Sequence, residues 1–321
     1  MEAVLRWGAL TALAPVAWGA NYYVTHHYLP AGAPLWGAVL RALPAGLLLL
    51  AAARRLPRGA WWWRSAVLGA LNTAAFFVLV YLASQWLPAG TAAMVMALSP
   101  LALMLCAWLL AGRRPLPAQL AGGVVGVGGA ALMLAGGTGP AGPAGLLAAL
   151  GALLVSSVGY VLTARWTTPT PDGGGAPTPD GDATPGVLAS TAWQLTLGGL
   201  LLLPVAALAE GPPPALDGGA VLAFGYSSLV ATALAFLVWF TGLRRLPAAT
   251  VGLIGLLNPV TGVLLGAALG GEHPGPAQYA GMALVLASIA LGRPGPRLRP
   301  RAHVRPRRAG RRSDQGQSMT L

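Results

Sequence analysis

The stretches LPAGTAAMVMALSPLALMLCAWLLAGRRPLPAQLAG (residues 87–122) and LPAATVGLIGLLNPVTGVLLGAALGGEHPGPAQYAG (residues 246–281) are copies of one pattern, 159 positions apart with no gap. Leu87-Pro88-Ala89 falls on Leu246-Pro247-Ala248, Thr91 on Thr250, Pro100 on Pro259 and Gly112 on Gly271. Pro117-Ala118-Gln119 then falls on Pro276-Ala277-Gln278. Small apolar residues match by chance between any two hydrophobic segments, whereas paired prolines and a repeated Pro-Ala-Gln are hard to obtain that way. The chain reads as a duplication, and the number of helices in each copy decides the fold.

Composition places those helices in a membrane. Only 9% of the 321 residues are Asp, Glu, Lys or Arg, against roughly 25% in an ordinary globular domain. Uncharged runs at 65–87, 91–112 and 248–271 reach the ~20 apolar residues needed to cross a hydrocarbon core. Hydropathy and the Pro/Gly breakers between runs predict ten helices, near 8–29, 34–53, 65–86, 91–111, 116–136, 143–164, 187–209, 219–242, 248–270 and 276–292. Arginine placement tests that count. With a cytoplasmic N-terminus, Arg6, the group Arg54, Arg55, Arg58 and Arg64, the pair Arg113 and Arg114, Arg165, and the pair Arg244 and Arg245 all fall inside. Nine further arginines fill the tail from Arg293 to Arg312, while the outer segments carry Glu210, Asp217, Glu272 and His273. This is the positive-inside pattern, and one helix more or fewer would reverse its second half.

Each copy therefore spans five helices, and an odd number turns the second copy upside down in the bilayer. The expected fold is an all-α integral membrane protein with ten transmembrane helices as two inverted five-helix repeats, both termini cytoplasmic. Inverted repeats of this kind build many secondary transporters. The Pro-, Thr- and Gly-rich segment 166–186, which repeats Pro-Thr-Pro-Asp-Gly, is expected to be a cytoplasmic linker between the sixth and seventh helices.

The sequence also resembles a family. Trp18-Gly19-Ala20-Asn21 in the first helix, Arg41 in the second, Pro88 to Pro100, Pro247 to Pro259, and Gly270-Gly271-Glu272 are similar in order and spacing to EamA-type members of the drug/metabolite transporter superfamily. The resemblance runs to about Gly292 and implies an EamA-type repeat in residues 1–139, a second in 140–292 and a basic cytoplasmic tail over 293–321. It also implies secondary transport by alternating access, with export of small metabolites such as amino acids or drug-like compounds. One position departs from the family: Gly-Glu usually follows both the fourth and ninth helices, but the first copy reads Gly112-Arg113. A non-transporting sensor or scaffold is the alternative that this change leaves open.

Arg41 is the sharpest candidate for substrate binding. It lies about seven residues, or roughly 10 Å, inside the outer end of its helix, where an arginine costs about 2.5–3.5 kcal/mol on insertion scales and needs a cavity or a partner. It could attract a substrate carboxylate or phosphate, snorkel to the interface, or bond carbonyls at a helix break. A local match of Gly46 to Gly199 sets Gln194 at the equivalent site. Ser99-Pro100 and Asn258-Pro259 mark breaks at corresponding positions, since proline leaves the carbonyls of Met96 and Gly255 without helical donors. Pro100 and Pro259 are the gating candidates. Asn21, Tyr22 and Tyr23, Asn72 and Thr73, Tyr160, and Tyr226, Ser227 and Thr232 offer polar groups for a pathway or for interhelical bonds. His26 and His27 fall near the outer mouth, exposed or as pH sensors. Gly122-x-x-x-Gly126 permits close helix contact, within the monomer or across a homodimer.

Several classes are disfavoured. The charge of +12 is mostly the tail's, and a basic segment after a membrane helix is expected to meet anionic lipid headgroups, not nucleic acid. The first helix is too long and too polar for a signal-peptide core. Cys106 is the one cysteine, so neither a disulfide nor a cysteine metal site is expected. No cofactor, metal or catalytic residue is expected, because no serine-bearing span carries a His or Asp partner at depth. Spans without Asp or Glu lack the usual proton carrier, and no phosphate-binding glycine loop is present. Abundant Ala, Gly and Arg without lysine point to a GC-rich bacterial genome, and so to a bacterial cytoplasmic (inner) membrane.

Overall fold

A computed structural model describes residues 2–28, 32–87, 89–135, 142–168, 184–269 and 273–292. The tail from 293, linker residues 169–183, Pro88 and Glu272, and the side chains of Tyr22, His26 and His27 lie outside what is described. Among the described residues the chain forms ten helical rods and no strand. They are α1 (Glu2–Tyr28), α2 (Pro34–Ala53), α3 (Trp61–Gly69, Ala70–Ala75 and Phe76–Trp86), α4 (Ala89–Ala97 and Ser99–Ala111) and α5 (Pro117–Leu134). Then follow α6 (Pro143–Thr167), α7 (Val187–Glu210), α8 (Gly218–Ser228, Leu229–Leu234 and Ala235–Arg245), α9 (Ala248–Gly255 and Leu257–Leu269) and α10 (Pro276–Leu291). The eight rods from α2 to α9 are long and apolar enough to cross a membrane; α10 is apolar but shorter, and α1 carries Glu2, Arg6 and Asn21 along its 27 residues.

The expected helices match these rods closely, and the differences lie at the arginine-bearing ends. α1 begins at Glu2, α3 at Trp61, α6 runs on through Trp166 to Thr167, and α8 continues through Arg244 and Arg245. An apolar run marks only the hydrocarbon, while the helices continue into the interface, where indoles and guanidiniums stack. Arg245 sits 5.0 Å from the Trp7 ring centre, and Trp63 meets Trp166 edge-on at 5.4 Å. The repeated Pro-Ala-Gln also acquires a physical cause. Gln119 Oε1 accepts the Leu116 N–H at 2.9 Å, and Gln278 Oε1 accepts the Gly275 N–H at 2.8 Å. In both copies proline occupies the first turn, where its missing N–H costs nothing, and glutamine reaches back to an otherwise orphaned donor.

Helices five apart in order are partners or exchange partners. α2 packs on α7, α4 on α9 and α5 on α10; α3 packs on α6 as α8 does on α1, and α4 on α6 as α9 does on α1. Glycine makes the tightest crossings. A Cβ at Gly69 would lie 2.7 Å from the Gln194 carbonyl oxygen across α3 and α7, and one at Gly129 would lie 2.7 Å from the Gly281 carbonyl across α5 and α10. Gly122 and Gly126 also face α10, against Ser288, so this glycine pair serves contact within the chain. Glu210, at the end of α7, caps α2: its two carboxylate oxygens accept the Leu35 and Trp36 N–H groups, each at 2.9 Å. A negative charge there complements the positive end of the helix dipole.

Candidate functional site

Two helices change pitch at matching positions. Ala70–Ala75 in α3 and Leu229–Leu234 in α8 are single π-helical turns, and each residue of the second lies 159 positions after its counterpart in the first. A π turn displaces backbone groups from the regular hydrogen-bond ladder, and such turns concentrate at functional sites. Thr73 and Thr232 occupy the same repeat position, the only side-chain identity the two turns share beyond alanine. Sequence reasoning named both threonines but had no signal for the pitch change.

In the first turn the neighbouring side chain is Asn72. Its amide donates to Thr163 Oγ1 at 3.0 Å and to Gln194 Oε1 at 2.8 Å. Gln194 Nε2 in turn donates to the Ser190 carbonyl at 3.1 Å, and Thr163 to the Gly159 carbonyl at 2.8 Å. Asn72, Thr163 and Gln194 are each 1% exposed. Asn72 and Gln194, both expected at a substrate pathway, are thus joined in a buried network tying α3, α6 and α7, in which Asn72 Oδ1 and the neighbouring Thr73 Oγ1 have no hydrogen-bond partner. Thr163 was not anticipated.

In the second turn the equivalent of Asn72 is Ala231, which has no polar side chain, and its carbonyl takes the bonds instead. It accepts from Trp18 Nε1 at 2.9 Å and from Arg41 Nη2 at 3.3 Å. Arg41 Nε also donates to Thr232 Oγ1 at 3.0 Å, and Thr232 donates to the Ser227 carbonyl five residues earlier, at 2.8 Å. The guanidinium lies 5.0 Å from the Phe77 ring centre. Arg41 therefore turns inward onto α8 and bonds the displaced carbonyl, and it does not snorkel to the interface.

An aromatic wall stands beside it. Trp18 meets Trp239 at 5.1 Å and Phe236 at 5.4 Å, and Tyr160 meets Trp239 at 5.7 Å and Phe240 at 6.0 Å. Tyr160 is within electrostatic reach of Arg41. The indole N–H of Trp239 is buried without a hydrogen-bond partner, as is Asn258 Oδ1 on α9. A few polar groups on an aromatic lining are the usual makings of a small-molecule site. Trp239 escaped sequence reasoning because it sits in an apolar run indistinguishable from core.

The remaining candidates divide. Asn21 is buried and accepts from Ser227 Oγ at 2.7 Å, and Tyr226 OH donates to the Ala17 carbonyl at 3.2 Å; both join α1 to α8. α4 turns at Leu98 and α9 at Leu256, where N–H groups bond three residues back to Val95 and Leu253, each at 3.1 Å. Ser99 and Pro100 begin the second segment of α4, and Asn258 and Pro259 lie in the first turn of the second segment of α9. Pro100 is buried against α9, where a Cβ on Gly252 would lie 2.9 Å from its Cα. The departing Arg113 lines a small cavity with Met104, Arg114, Gln119, Pro247 and Ala249. Among the described residues no three His, Cys, Asp or Glu side chains group as metal ligands would.

Comparison with known proteins gives a consistent picture. The profile of the EamA-like transporter family matches residues 5–135 and 183–292. Protein PecM of Dickeya dadantii is 34% identical over 278 residues, covering 87% of this chain and 89% of that protein. The uncharacterized inner membrane transporter YedA of Escherichia coli K12 is 29% identical over 293 residues, covering 88% and 89%. A solved crystal structure superposes with a TM-score of 0.76 at 22% identity, covering 89% of this chain and 98% of that one. This likeness concerns the fold.

Proposed function

Because the chain belongs to the EamA-like transporter family, we propose that it is a secondary transporter that exports small metabolites by alternating access. In this reading all ten rods cross a bacterial cytoplasmic membrane as inverted repeats, residues 1–139 and 140–292. Both termini and the linker 166–186 are cytoplasmic, and the tail 293–321 lies against anionic headgroups. The exchange of partners between helices five apart supports the two-fold relation.

The observation that carries the transport reading is the pairing of irregular backbone at matching positions of the two halves. Non-helical backbone at membrane depth is tolerated where protein buries it or where it lines a cavity, and breaks at corresponding positions of two repeats point to the substrate site. Here Arg41 bonds the π turn of α8 and lies against Phe77, just past the π turn of α3, while Trp239 stacks with Trp18 and Tyr160. The site suits a compound with an apolar or aromatic body and an anionic group. Arg41 would meet the anion, exchanging its bonds to Thr232 and Ala231 for the ligand, and Asn258 and the Trp239 N–H would orient the remainder. Exchange of that kind couples occupancy to α8, the element that must move.

Proteoliposomes assayed with a panel of amino acids, aromatic carboxylates and amphiphilic cations, with and without a pH gradient, test the reading. Saturable, Arg41-dependent flux of an anionic compound is expected. Inserted, monodisperse protein that moves none of the panel would favour a sensor or scaffold.

A further inference from the structure

Eleven tryptophans are present, and five of them gather at the inner end of α3, away from the central site. The first turn of α3 reads Trp61-Trp62-Trp63-Arg64. The Arg64 guanidinium lies 5.3 Å from the Trp61 ring centre, 5.6 Å from Trp63 and 5.7 Å from Trp166 at the end of α6. The rings brace one another: Trp61 meets Trp193 at 6.1 Å, and the Trp193 indole donates to the Arg55 carbonyl at 2.7 Å. Arg64 Nε is buried with no hydrogen-bond acceptor. Cation–π contact attracts a charge but supplies no acceptor for its N–H donors, and Arg64 is only half-buried, so an oxygen ligand can still approach the guanidinium at the edge of the cage.

The surroundings indicate by what. Trp62 and Trp63 are about half exposed and Leu56 more so, next to the exposed Arg54, Arg55 and Arg58. Apolar rings directed at acyl chains beside cations directed at headgroups match the chemistry of an anionic phospholipid, and guanidinium suits the two-oxygen face of a phosphate. We propose that Trp61, Trp63, Trp166 and Arg64 form a specific site for one anionic phospholipid headgroup at the inner interface. This rests on α3 crossing the membrane with its Trp61 end at the arginine-rich face, and it is independent of what the central site carries.

Native mass spectrometry of the full chain in detergent, titrated with phosphatidylglycerol or phosphatidylcholine, provides the test. One tight phosphatidylglycerol adduct is expected. Arg64→Gln should weaken it about tenfold, whereas Arg58→Gln, outside the indole cage, should weaken it only about twofold. Trp166→Leu should weaken it as well, giving a second route should Arg64→Gln not fold. Equal losses in the Arg64 and Arg58 variants would reduce the site to diffuse charge and overturn it. Displacement by millimolar inorganic phosphate would replace the lipid by a free anion. Tighter lipid binding after neutralising Asp172, Asp180 and Asp182 would assign the guanidinium to the linker's own carboxylates. None of these readouts needs a transported substrate, so failure here and failure of the transport reading are separable.

Discussion

The π turns of α3 and α8 share a spacing of 159 positions, a threonine and a geometry, yet they are held to their neighbours in opposite ways. At Ala70–Ala75 the side chain of Asn72 is bonded by Thr163 and Gln194, all neutral and all sealed from solvent. At Leu229–Leu234 the corresponding Ala231 offers only its carbonyl, which is held by an indole and by a half-buried cation. Arg41 and Gln194 occupy equivalent places on α2 and α7, each bonding the π turn of the opposite repeat. The matching positions keep the irregular backbone but hold it by different groups. One turn is locked by buried amides that would cost free energy to separate. The other is fastened by a charge, which an anion would take over in the proposed function.

The largest effect that would break this contrast lies at Gly159. A Cβ there would collide with Asn72 Oδ1, so Gly159→Ala forces the amide out of the network. Overpacking together with orphaned buried groups should cost about 3 kcal/mol, read as a lower midpoint in an SDS denaturation titration. A midpoint equal to wild type would mean that the α3 turn is not locked. Next in size is Asn72→Leu, expected to cost about 2 kcal/mol because Gln194 Oε1 loses its shorter bond, keeping only Thr163 Oγ1 at 3.3 Å, and Thr163 Oγ1 loses its donor. The double variant Asn72→Leu with Gln194→Leu should cost less than the sum of the singles, since it removes both halves of the pair.

What the sequence reveals of this contrast follows from where each signal resides. The rods, their order and the duplication are legible because a helix must be apolar for about 20 residues and because proline and glutamine at helix starts repeat by identity. Arg41, Asn72 and Gln194 are legible as polar residues inside apolar runs. Their division into lock and receptor is not, because it depends on which rod faces which, and on the Ala231 carbonyl, a group every residue possesses. The π turns are silent for the same reason: ALNTAA and LVATAL are ordinary helix formers. Trp239 and Trp18 look like core until the packing shows one indole N–H unpartnered and the other on a displaced carbonyl. Glu210, read as an outer loop acid, proves to be the α2 cap, a contact between residues some 175 positions apart.

Arg41→Ala is the sharper probe of the receptive half. Removing the cation should lower flux of an anionic substrate on the order of tenfold, the scale of a lost charged hydrogen bond. Stability should stay within about 1 kcal/mol of wild type, because removal also relieves the cost of holding an arginine at depth. Gln194→Ala is expected to do the reverse, lowering the SDS midpoint while leaving substrate affinity within about twofold, as fits a neutral structural bond. If both variants lost flux equally at unchanged stability, the two turns would be functionally alike and the division of roles wrong.

The smallest effect discriminates most finely. Trp18→Phe keeps a ring against Trp239 and Phe236 but removes the N–H that reaches the Ala231 carbonyl. That carbonyl retains Arg41 as a donor, so the loss should be that of one net hydrogen bond, about 1 kcal/mol, and smaller than for Asn72→Leu. In an Arg41→Ala background the same change leaves the carbonyl with neither donor. The double variant should then cost about 1 kcal/mol more than the two singles together. Such coupling would identify Ala231 as the atom that both side chains share, and hence as the point where an anion drawing Arg41 away transfers strain to α8. Simple additivity would mean that the carbonyl finds another donor, and that occupancy of the site does not reach the π turn through it.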